Sequence, residues 1–399
     1  MTGPLASLRI LDFTALVPGP FATMLLADLG ADVVRVESPT RPDLVRYQPP
    51  LRDGLGSWYA TLNRSKRSLG LDLKQAGAAA VVRRLVARYD ILVEQNRPGV
   101  MERLGLGYET LRAANPRLIY CALTGYGQDG PYRDRAGHDL NYVALSGIAA
   151  HSGRADGSPP PLGVPLADLA AANAAVIAIL AAVVHRRQTG EGQFLDVSMF
   201  DTALAWNALA IADALAGVPP APESGLLNGG SAYDAYATAD GRYLAVGALE
   251  PKFWRAFCAV IERPDLANAP PVLAQRAPQA IKEAVAAAIA ARPLADWVTR
   301  FAAVDACVEP VLAPDEAVEH PQAVARGALV LVPNPAGEPQ PQVAHPVRFS
   351  ATPPVYRHVG PPLGAHTRAV LGEAGFGEAE LRELQEQGVI YQAGEEDAG

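Results

Sequence analysis

The sequence is poor in cysteine. Cys121, Cys258 and Cys307 are the three cysteines of the 399-residue chain, and their odd number and wide spacing provide neither a disulfide framework nor a zinc-binding pattern. Free cysteines are usual in a reducing compartment. We therefore expect a cytoplasmic location and no bound metal.

The chain is also poor in charge. Charged residues form 19% of it and the formal net charge is −8, which argues against a dedicated nucleic-acid-binding protein. The first residues lack the basic and apolar pattern of a secretory signal. Apolar stretches such as residues 170–184 are dominated by alanine and too short to span a bilayer. We expect neither nucleic acid nor a membrane as a partner.

Hydrophobic residues, by contrast, are abundant. They form 49% of the chain, which is enough for a large core, and the length exceeds that of one ordinary domain. A strand-like run over residues 8–13, a helical pattern over 21–29 and a second strand over 33–37 make a βαβ unit. This alternation recurs as far as residue 123, with further strand patterns over residues 91–94 and 118–123. We predict an α/β fold with a Rossmann-like parallel sheet in the large domain.

Turn-forming residues indicate the domain boundaries. Residues 217–222 are rich in proline and resemble a linker, and beyond them two short strand patterns flank Asp240-Gly241, a hairpin signal. We predict a large α/β domain over residues 1–218 and a smaller α+β domain over 225–320. We expect the C-terminal segment, residues 321–399, to return to the large domain.

Three residues suggest acid–base chemistry: His138, Asp139 and Asp168. A neutral imidazole and an ionised carboxylate are both usable bases near neutral pH. On opposite sides of one carbon atom, His138 and Asp168 could remove a proton from one face and return it on the other. The amides of the helix that starts near Asp168 could stabilise an enolate. A structural histidine, a loop carboxylate at Asp139 and a helix N-cap at Asp168 remain open alternatives.

Several motifs occur in an order typical of one family. They are residues 27–37, 66–74, 97–107 and 115–120, and with them the chain resembles the family III CoA-transferase superfamily (CaiB/BaiF-like), which includes α-methylacyl-CoA racemase. Residues 136–142, 227–230 and 245–251 resemble the racemase branch. Ser38 stands where racemases carry an arginine, so one expected CoA contact is missing unless Arg35 or Arg41 substitutes for it. Residues 49–63 resemble an insertion typical of the transferase branch.

The resemblance implies an enzyme that acts on acyl-CoA thioesters. In the racemase branch His138 and Asp168 would be the two acid/base residues, supported by Glu250 and Asp139, and the CoA thioester would be the substrate with no further cofactor. In the transferase branch the residue at position 168 is a nucleophile that forms a mixed anhydride and then an aspartyl-CoA intermediate. We interpret the chain as a racemase or epimerase of 2-methylacyl-CoA thioesters, with a CoA-transferase as the alternative.

The resemblance also implies CoA contacts and an assembly. The residues predicted to contact CoA are Arg35, Lys66, Arg67, Leu71, Asp72, Leu73, Asn96, Arg97, Arg103, Arg135 and Gly137. Arginine forks suit the CoA phosphates, and Arg103 is the preferred contact because it lies within a matched motif. The implied assembly is an interlocked homodimer, in which the large domain of one subunit and the small domain of the other share each active site.

A dinucleotide-binding dehydrogenase is the less favoured interpretation of the same βαβ start. Residues 17–21 do not spell G-x-G-x-x-G, and Pro18 and Pro20 lack the amide donors that a pyrophosphate would use. A non-catalytic CoA-binding protein would leave His138 and Asp168 without a role.

Overall fold

The computed structural model describes residues 3–268 and 279–394. Within these residues the chain divides into two compact units. The first lies within Met1–Tyr142, Val164–Ala203 and Pro321–Gly399, and the second within Val143–Gly163 and Leu204–His320. This division differs from the predicted boundaries, since residues 143–163 and 204–218 belong to the second unit. The prediction followed the composition of the linker, whereas compact units are defined by which residues contact each other.

The described chain contains short and medium-length strands. In chain order they are β1 (Arg9–Phe13), β2 (Asp32–Glu37), β3 (Leu51–Arg52), β4 (Leu55–Gly56), β5 (Arg67–Leu71), β6 (Ile91–Glu94), β7 (Ile119–Thr124), β8 (Phe194–Ser198), β9 (Asp234–Ala237), β10 (Tyr243–Val246), β11 (Val308–Pro310), β12 (Leu329–Pro333), β13 (Pro339–Val343) and β14 (Ile390–Tyr391).

Helices connect most of these strands. In chain order they are α1 (Pro18–Asp28), α2 (Ser57–Leu62), α3 (Ala78–Val86), α4 (Val100–Arg103), α5 (Tyr108–Ala114), α6 (Asp139–Leu145), α7 (Leu166–Thr189), α8 (Met199–Trp206), α9 (Ala208–Leu215), α10 (Pro251–Val260), α11 (Gln279–Ile289), α12 (Leu294–Phe301), α13 (Pro314–Glu319), α14 (Pro321–Ala325), α15 (Thr367–Glu373) and α16 (Glu378–Glu386). Proline opens α1 and α10 because its missing amide hydrogen costs nothing in the first turn.

The first unit is built on a seven-stranded sheet with the order β14-β5-β2-β1-β6-β7-β8. All neighbouring strands run parallel except β14, which pairs antiparallel with β5. In the register, Ile10 of β1 lies between Val33 of β2 and Ile91 of β6. The predicted parallel-sheet domain is confirmed.

Helices cover both faces of this sheet. On one face, residues of α3, α5, α15 and α16 form a continuous core with alternate residues of the strands, including Leu11, Val34 and Leu92. On the other face α1 packs against α7, and α7 packs against β7 and β8. Parallel sheets are stable when both faces are buried in this way.

Helix α7 extends beyond the apolar stretch at residues 170–184 in both directions. It has 24 residues, and by length and composition alone it is the one described helix that could cross a membrane, with a mean hydropathy of 2.1 in its most apolar window. The expectation that this stretch is too short was therefore wrong. Ala170, Ala171, Ala175 and Ile179 of α7 are nevertheless buried within the fold, as in a core helix of a globular protein.

The second unit contains a three-stranded antiparallel sheet with the order β11-β10-β9. The predicted hairpin at Asp240-Gly241 joins β9 and β10, with Gly241 at a φ of 74°. Trp254 and Phe257 of α10 and Trp297 of α12 are the largest fully buried side chains in the core of this unit.

Candidate active site

A cleft of about 280 Å³ opens in the first unit, at the carboxyl ends of the parallel strands. The residues that line it follow β1, β6 and β7, lie at the end of β8, or belong to the start of α7. They are Leu16, Pro18, Gln95, Asn96, Arg97, Pro98, Thr124, Gly125, Tyr126, Arg133, Arg135, Ala136, Gly137, His138, Tyr142, Asp168 and Met199. Open α/β sheets bind ligands at this edge, where the order of strands reverses. That reversal occurs between β1 and β6.

Asp168 is the titrating carboxyl of the cleft. It is the third residue of α7, which has Pro165 at its N-cap, so the interpretation of Asp168 as the N-cap is wrong. Burial, and secondarily the negative charge of Asp139, raise the pKa of Asp168 to about 7. A carboxyl group with this pKa can both accept and donate a proton at neutral pH.

Asp139 holds the start of α7. Its Oδ1 accepts hydrogen bonds from the backbone amides of Ala167, at 2.7 Å, and of Asp168, at 3.1 Å. The sequence led us to expect these amides to be available to an enolate, and the structure contradicts this because Asp139 already occupies both. Asp139 therefore links the segment that carries His138 to the helix that carries Asp168.

His138 lines the same cleft and is exposed. It precedes α6, and its backbone amide donates to Oδ1 of Asn141 at 3.0 Å. A side chain in the first turn that bonds back to the residue before the helix is a recognised capping arrangement. The structure thus brings His138, Asp139 and Asp168 together, as predicted.

Arginines surround the cleft without carboxylate partners. Arg97, Arg133 and Arg135 line it, and none of these three, nor Arg103, forms an ion pair within the part of the chain that the structure describes. A Cβ atom on Gly99 would lie 3.2 Å from Nη1 of Arg103 and 3.6 Å from Nη2 of Arg133. Two guanidinium groups that converge in this way repel each other and favour a bound anion.

Two predicted CoA contacts lie inside the fold instead. Arg35, 1% exposed, pairs with Asp43 at 2.6 Å, and Lys66, 0% exposed, pairs with Asp12 at 3.1 Å. Burial lowers the pKa of Lys66 to about 8. These side chains cannot reach a ligand in the cleft, so their assignment as CoA contacts needs correction. Arg35 is connected with the cleft indirectly, because its partner Asp43 also accepts the Leu16 amide at 3.0 Å.

Four further predicted contacts lie away from the cleft lining. Arg67 pairs with Asp32 at 2.7 Å and with Glu373 at 2.9 Å. Leu71 is buried in the core, and Leu73 packs against that core. The side chain of Asp72 accepts the Lys74 amide at 3.1 Å. These side chains stabilise the fold, although they belong to residues 66–74, one of the motifs on which the family resemblance rests.

Glu250 lies in the second unit, where it is the exposed N-cap residue of α10. Its predicted support of His138 stays a prediction. Over residues 3–268 and 279–394 no group of three or more His, Cys, Asp or Glu side chains could hold a metal ion.

Many residues that line the cleft were not indicated by the sequence. The missed residues include Leu16, Gln95, Tyr126, Arg133, Tyr142 and Met199. A signal was present, since strands ending near residues 13, 94 and 123 were recognised and parallel strands place their carboxyl ends at one edge. Tyr126, Tyr142 and Met199 could not be recognised individually as site residues, because tyrosine and methionine also pack in hydrophobic cores.

Known proteins resemble this chain over nearly its whole length. A model of the family described as CoA-transferase family III matches residues 5–367. The chain is 37% identical over 393 residues to alpha-methylacyl-CoA racemase of Homo sapiens, covering 97% of each protein. It is 34% identical over 382 residues to succinate–glutarate CoA-transferase of Agrobacterium fabrum, covering 93% of this chain and 95% of that protein. The crystal structure of a CaiB/BaiF family protein from Brucella suis matches with a TM-score of 0.82 at 30% identity, covering 94% of this chain and 100% of that one.

Proposed function

Because the chain belongs to CoA-transferase family III, we propose that it is a racemase or epimerase of 2-methylacyl-CoA thioesters. The observation that carries this proposal is that His138 and an Asp168 with a pKa of about 7 line one cleft. One side chain removes the C2 proton, and the electron pair moves onto the thioester oxygen as an enolate. The other side chain returns a proton to the opposite face. The CoA thioester is the substrate, and no electron transfer to a redox cofactor is involved.

The electrostatics of the cleft support proton transfer. Two bases exchange roles most easily when their pKa values lie near the working pH. Burial raises the pKa of Asp168 to about 7, which is in this range. The positive end of the α7 macrodipole favours a negative charge on an enolate nearby. Asp139 already occupies the amides of Ala167 and Asp168, so these two donors are not available to the enolate.

The two chemical characters of the cleft fit the two parts of an acyl-CoA. Apolar and aromatic side chains, among them Leu16, Tyr126 and Met199, suit a branched acyl group. Arg103 and Arg133, which converge on Gly99, suit a phosphate of CoA. We propose Asn96, Arg97, Arg135 and Gly137 as further CoA contacts, since they line the cleft.

CoA transfer between carboxylic acids is the second candidate, because transferases and racemases resemble this chain to a similar degree. In that reaction the ionised Asp168 carboxylate attacks the thioester carbonyl and expels the CoA thiolate, which leaves a mixed anhydride. The thiolate then attacks the aspartyl carbonyl, so that the free acid departs and Asp168 carries CoA as a thioester. A carboxyl with a pKa of about 7 is only partly ionised at neutral pH, which suits an acid–base residue better than a nucleophile.

The deciding experiment uses a single epimer of a 2-methylacyl-CoA in deuterated water. We expect deuterium at C2 together with loss of the stereochemical configuration, measured by mass spectrometry and chiral analysis. His138→Ala and Asp168→Ala should both abolish this conversion. His185→Ala is the matched control, because this exposed histidine lies near the other end of α7, about 25 Å from Asp168 along the helix.

Two outcomes would reject the proposal. Acyl-CoA formation from an added carboxylic acid, without deuterium at C2, would establish the transferase instead. In that case Asp168→Ala should abolish turnover while His138→Ala has a milder effect. Near-normal racemisation by both folded variants would rule out the pair as the two bases.

We further propose a homodimer in which each active site combines the first unit of one subunit with Glu250 of the other. Helix α9 supports an interface, because it has no buried residue while Leu209 and Leu215 are 77% and 84% exposed. Apolar surface of this kind usually marks a contact with another chain. The free thiols of Cys121, Cys258 and Cys307 are compatible with the cytoplasmic location that we propose.

A further inference from the structure

We propose that Tyr142 and Asn141 are positioning residues that fix the peptide bond in front of His138 and so aim its imidazole at the substrate. The inference rests on the proposed function, because it concerns how one of the two bases is held. Neither residue needs to touch the reacting atoms for this role. The proposal predicts an effect on one face of the substrate carbon only.

Both ends of the Gly137–His138 peptide are bonded by side chains of α6. The Tyr142 hydroxyl donates to the Gly137 carbonyl oxygen at 2.7 Å. The His138 amide donates to Oδ1 of Asn141 at 3.0 Å. The orientation of a peptide plane is fixed when its carbonyl and its amide both have partners on one rigid element.

The ring of Tyr142 has little freedom to move. It is 4% exposed and meets the ring of Tyr126 edge-on, with centroids 5.1 Å apart. Glycines allow its close approach on two sides, since a Cβ on Gly125 would lie 2.5 Å from the Tyr142 hydroxyl oxygen and one on Gly137 would lie 2.7 Å from Cε1. The hydroxyl is therefore held at the carbonyl it bonds.

The structure positions His138 through its backbone. Its side chain is exposed and forms no hydrogen bond or ion pair within the described ranges, 3–268 and 279–394. Asp168, in contrast, is held by α7 and by the cap that Asp139 forms. Loosening the Gly137–His138 peptide should thus disturb one base and leave the other in place.

The test measures hydrogen exchange from each epimer separately in deuterated water. In Tyr142→Phe, the epimer whose C2 proton faces Asp168 should still lose that proton and regain deuterium on the same face. The other epimer should exchange roughly tenfold more slowly or worse, since small misplacements of a catalytic group have large effects. Interconversion should fall equally in both directions, because inversion needs both bases.

Asn141→Ala is the second variant, because it removes the other bond of the same peptide at an exposed position. We expect the same asymmetry between epimers, with unchanged affinity for CoA measured by calorimetry. The matched control is Tyr120→Phe. Tyr120 is buried in β7, and its hydroxyl forms no hydrogen bond with the residues that the structure describes.

Equal slowing of exchange from both epimers in folded Tyr142→Phe and Asn141→Ala would overturn the inference, since a general loss of structure acts on both faces. Normal exchange in both variants would overturn it as well. Failure of the proposed function is distinguishable from either result, because the unmodified enzyme would then show no exchange at C2 with any 2-methylacyl-CoA.

Discussion

At the scale of single residues, the main finding is that environment rather than residue type assigns the roles of the aspartates. Asp168 and Asp12 are both carboxylic acids within the same unit. Burial, and secondarily the negative charge of Asp139, raise the pKa of Asp168 to about 7. Asp12 is also buried, yet Lys66 and Arg35 hold its pKa below the ordinary value. The first can exchange a proton at neutral pH and the second stays ionised.

The raised pKa of Asp168 predicts a cost in stability. Its value of about 7 exceeds the ordinary value of 3.8, so the folded state disfavours the ionised form that the unfolded state accepts. The resulting loss of stability is absent below about pH 4, grows as pH rises, and is complete above about pH 7. Asp168→Asn should therefore unfold at higher urea concentration than the natural protein above pH 7, with equal stability near pH 4. Each unit of pKa corresponds to about 1.4 kcal/mol.

Asp134→Asn is the control for this measurement, because Asp134 is an exposed carboxylate in the same unit. Its stability relative to the natural protein is measured at the same pH values. If the difference between Asp168→Asn and the natural protein were constant from pH 4 to pH 8, the carboxyl of Asp168 would not titrate abnormally. The proposed acid–base role would then lose its electrostatic support.

At the scale of elements, the contact between α6 and α7 decides the geometry of the cleft. Asp139 is the first residue of α6 and its carboxylate caps α7, so one residue links the starts of the two helices. Its charge also raises the pKa of Asp168. The position of the two bases and the pKa of one of them thus depend on the same side chain.

Two substitutions of Asp139 should separate these effects. Asp139→Asn keeps an oxygen that can accept the amides of Ala167 and Asp168 but removes the charge, so the pKa of Asp168 should fall. The limb of the pH–rate profile that reports Asp168 should then move to lower pH, with little change in Tm. Asp139→Ala removes the cap as well, which typically costs about 1 kcal/mol. It should lower Tm in addition.

Profiles of deuterium exchange against pH and thermal unfolding curves for the two variants test this. An unmoved limb in Asp139→Asn, with activity retained, would mean that burial alone sets the pKa of Asp168. Equal Tm values for the Asn and Ala variants would mean that the cap contributes nothing to stability.

At the scale of the whole molecule, the proposed homodimer places residues of two subunits in each active site. We propose that His138 of one subunit works with Glu250 of the other. A carboxylate that accepts an imidazole N–H fixes the tautomer and stabilises the charged form of the ring. Glu250 is exposed at the start of α10, where its side chain is available to another chain.

Mixing two inactive variants tests this arrangement. If each site combines both subunits, heterodimers of His138→Ala and Glu250→Gln contain one intact site, and random exchange should restore about a quarter of the natural activity. If each site lies within one subunit, the mixture should stay inactive. Refolding each variant alone is the control, and light scattering checks that the dimer has formed.

Local sequence determined much of the fold. The alternation of short apolar runs with helical patterns predicted the parallel sheet, and the structure contains strands at Arg9–Phe13, Ile91–Glu94 and Ile119–Thr124 close to the predicted positions. The hairpin at Asp240-Gly241 was likewise predicted from a few neighbouring residues. Periodicity and turn chemistry depend on neighbours in the chain, so the sequence alone suffices for them.

The sequence also indicated His138, Asp139 and Asp168, through their chemistry and the family resemblance. The tertiary structure alone decided what surrounds them. The sequence indicated Lys66 and Arg35 as ligand-binding cations, whereas in the fold they pair with Asp12 and Asp43. Whether a charged side chain faces a ligand or a buried partner depends on residues distant in sequence.

The same reason explains the cleft itself. Leu16, Gln95, Tyr126 and Met199 follow or end different strands and meet because those strands are parallel neighbours. The pKa of Asp168 and the bond from Tyr142 to Gly137 likewise arise from packing. Residue type and local pattern fixed which elements form and which groups can exchange protons. Burial and long-range contact decided where those groups lie and at what pH they act, because both depend on the whole fold.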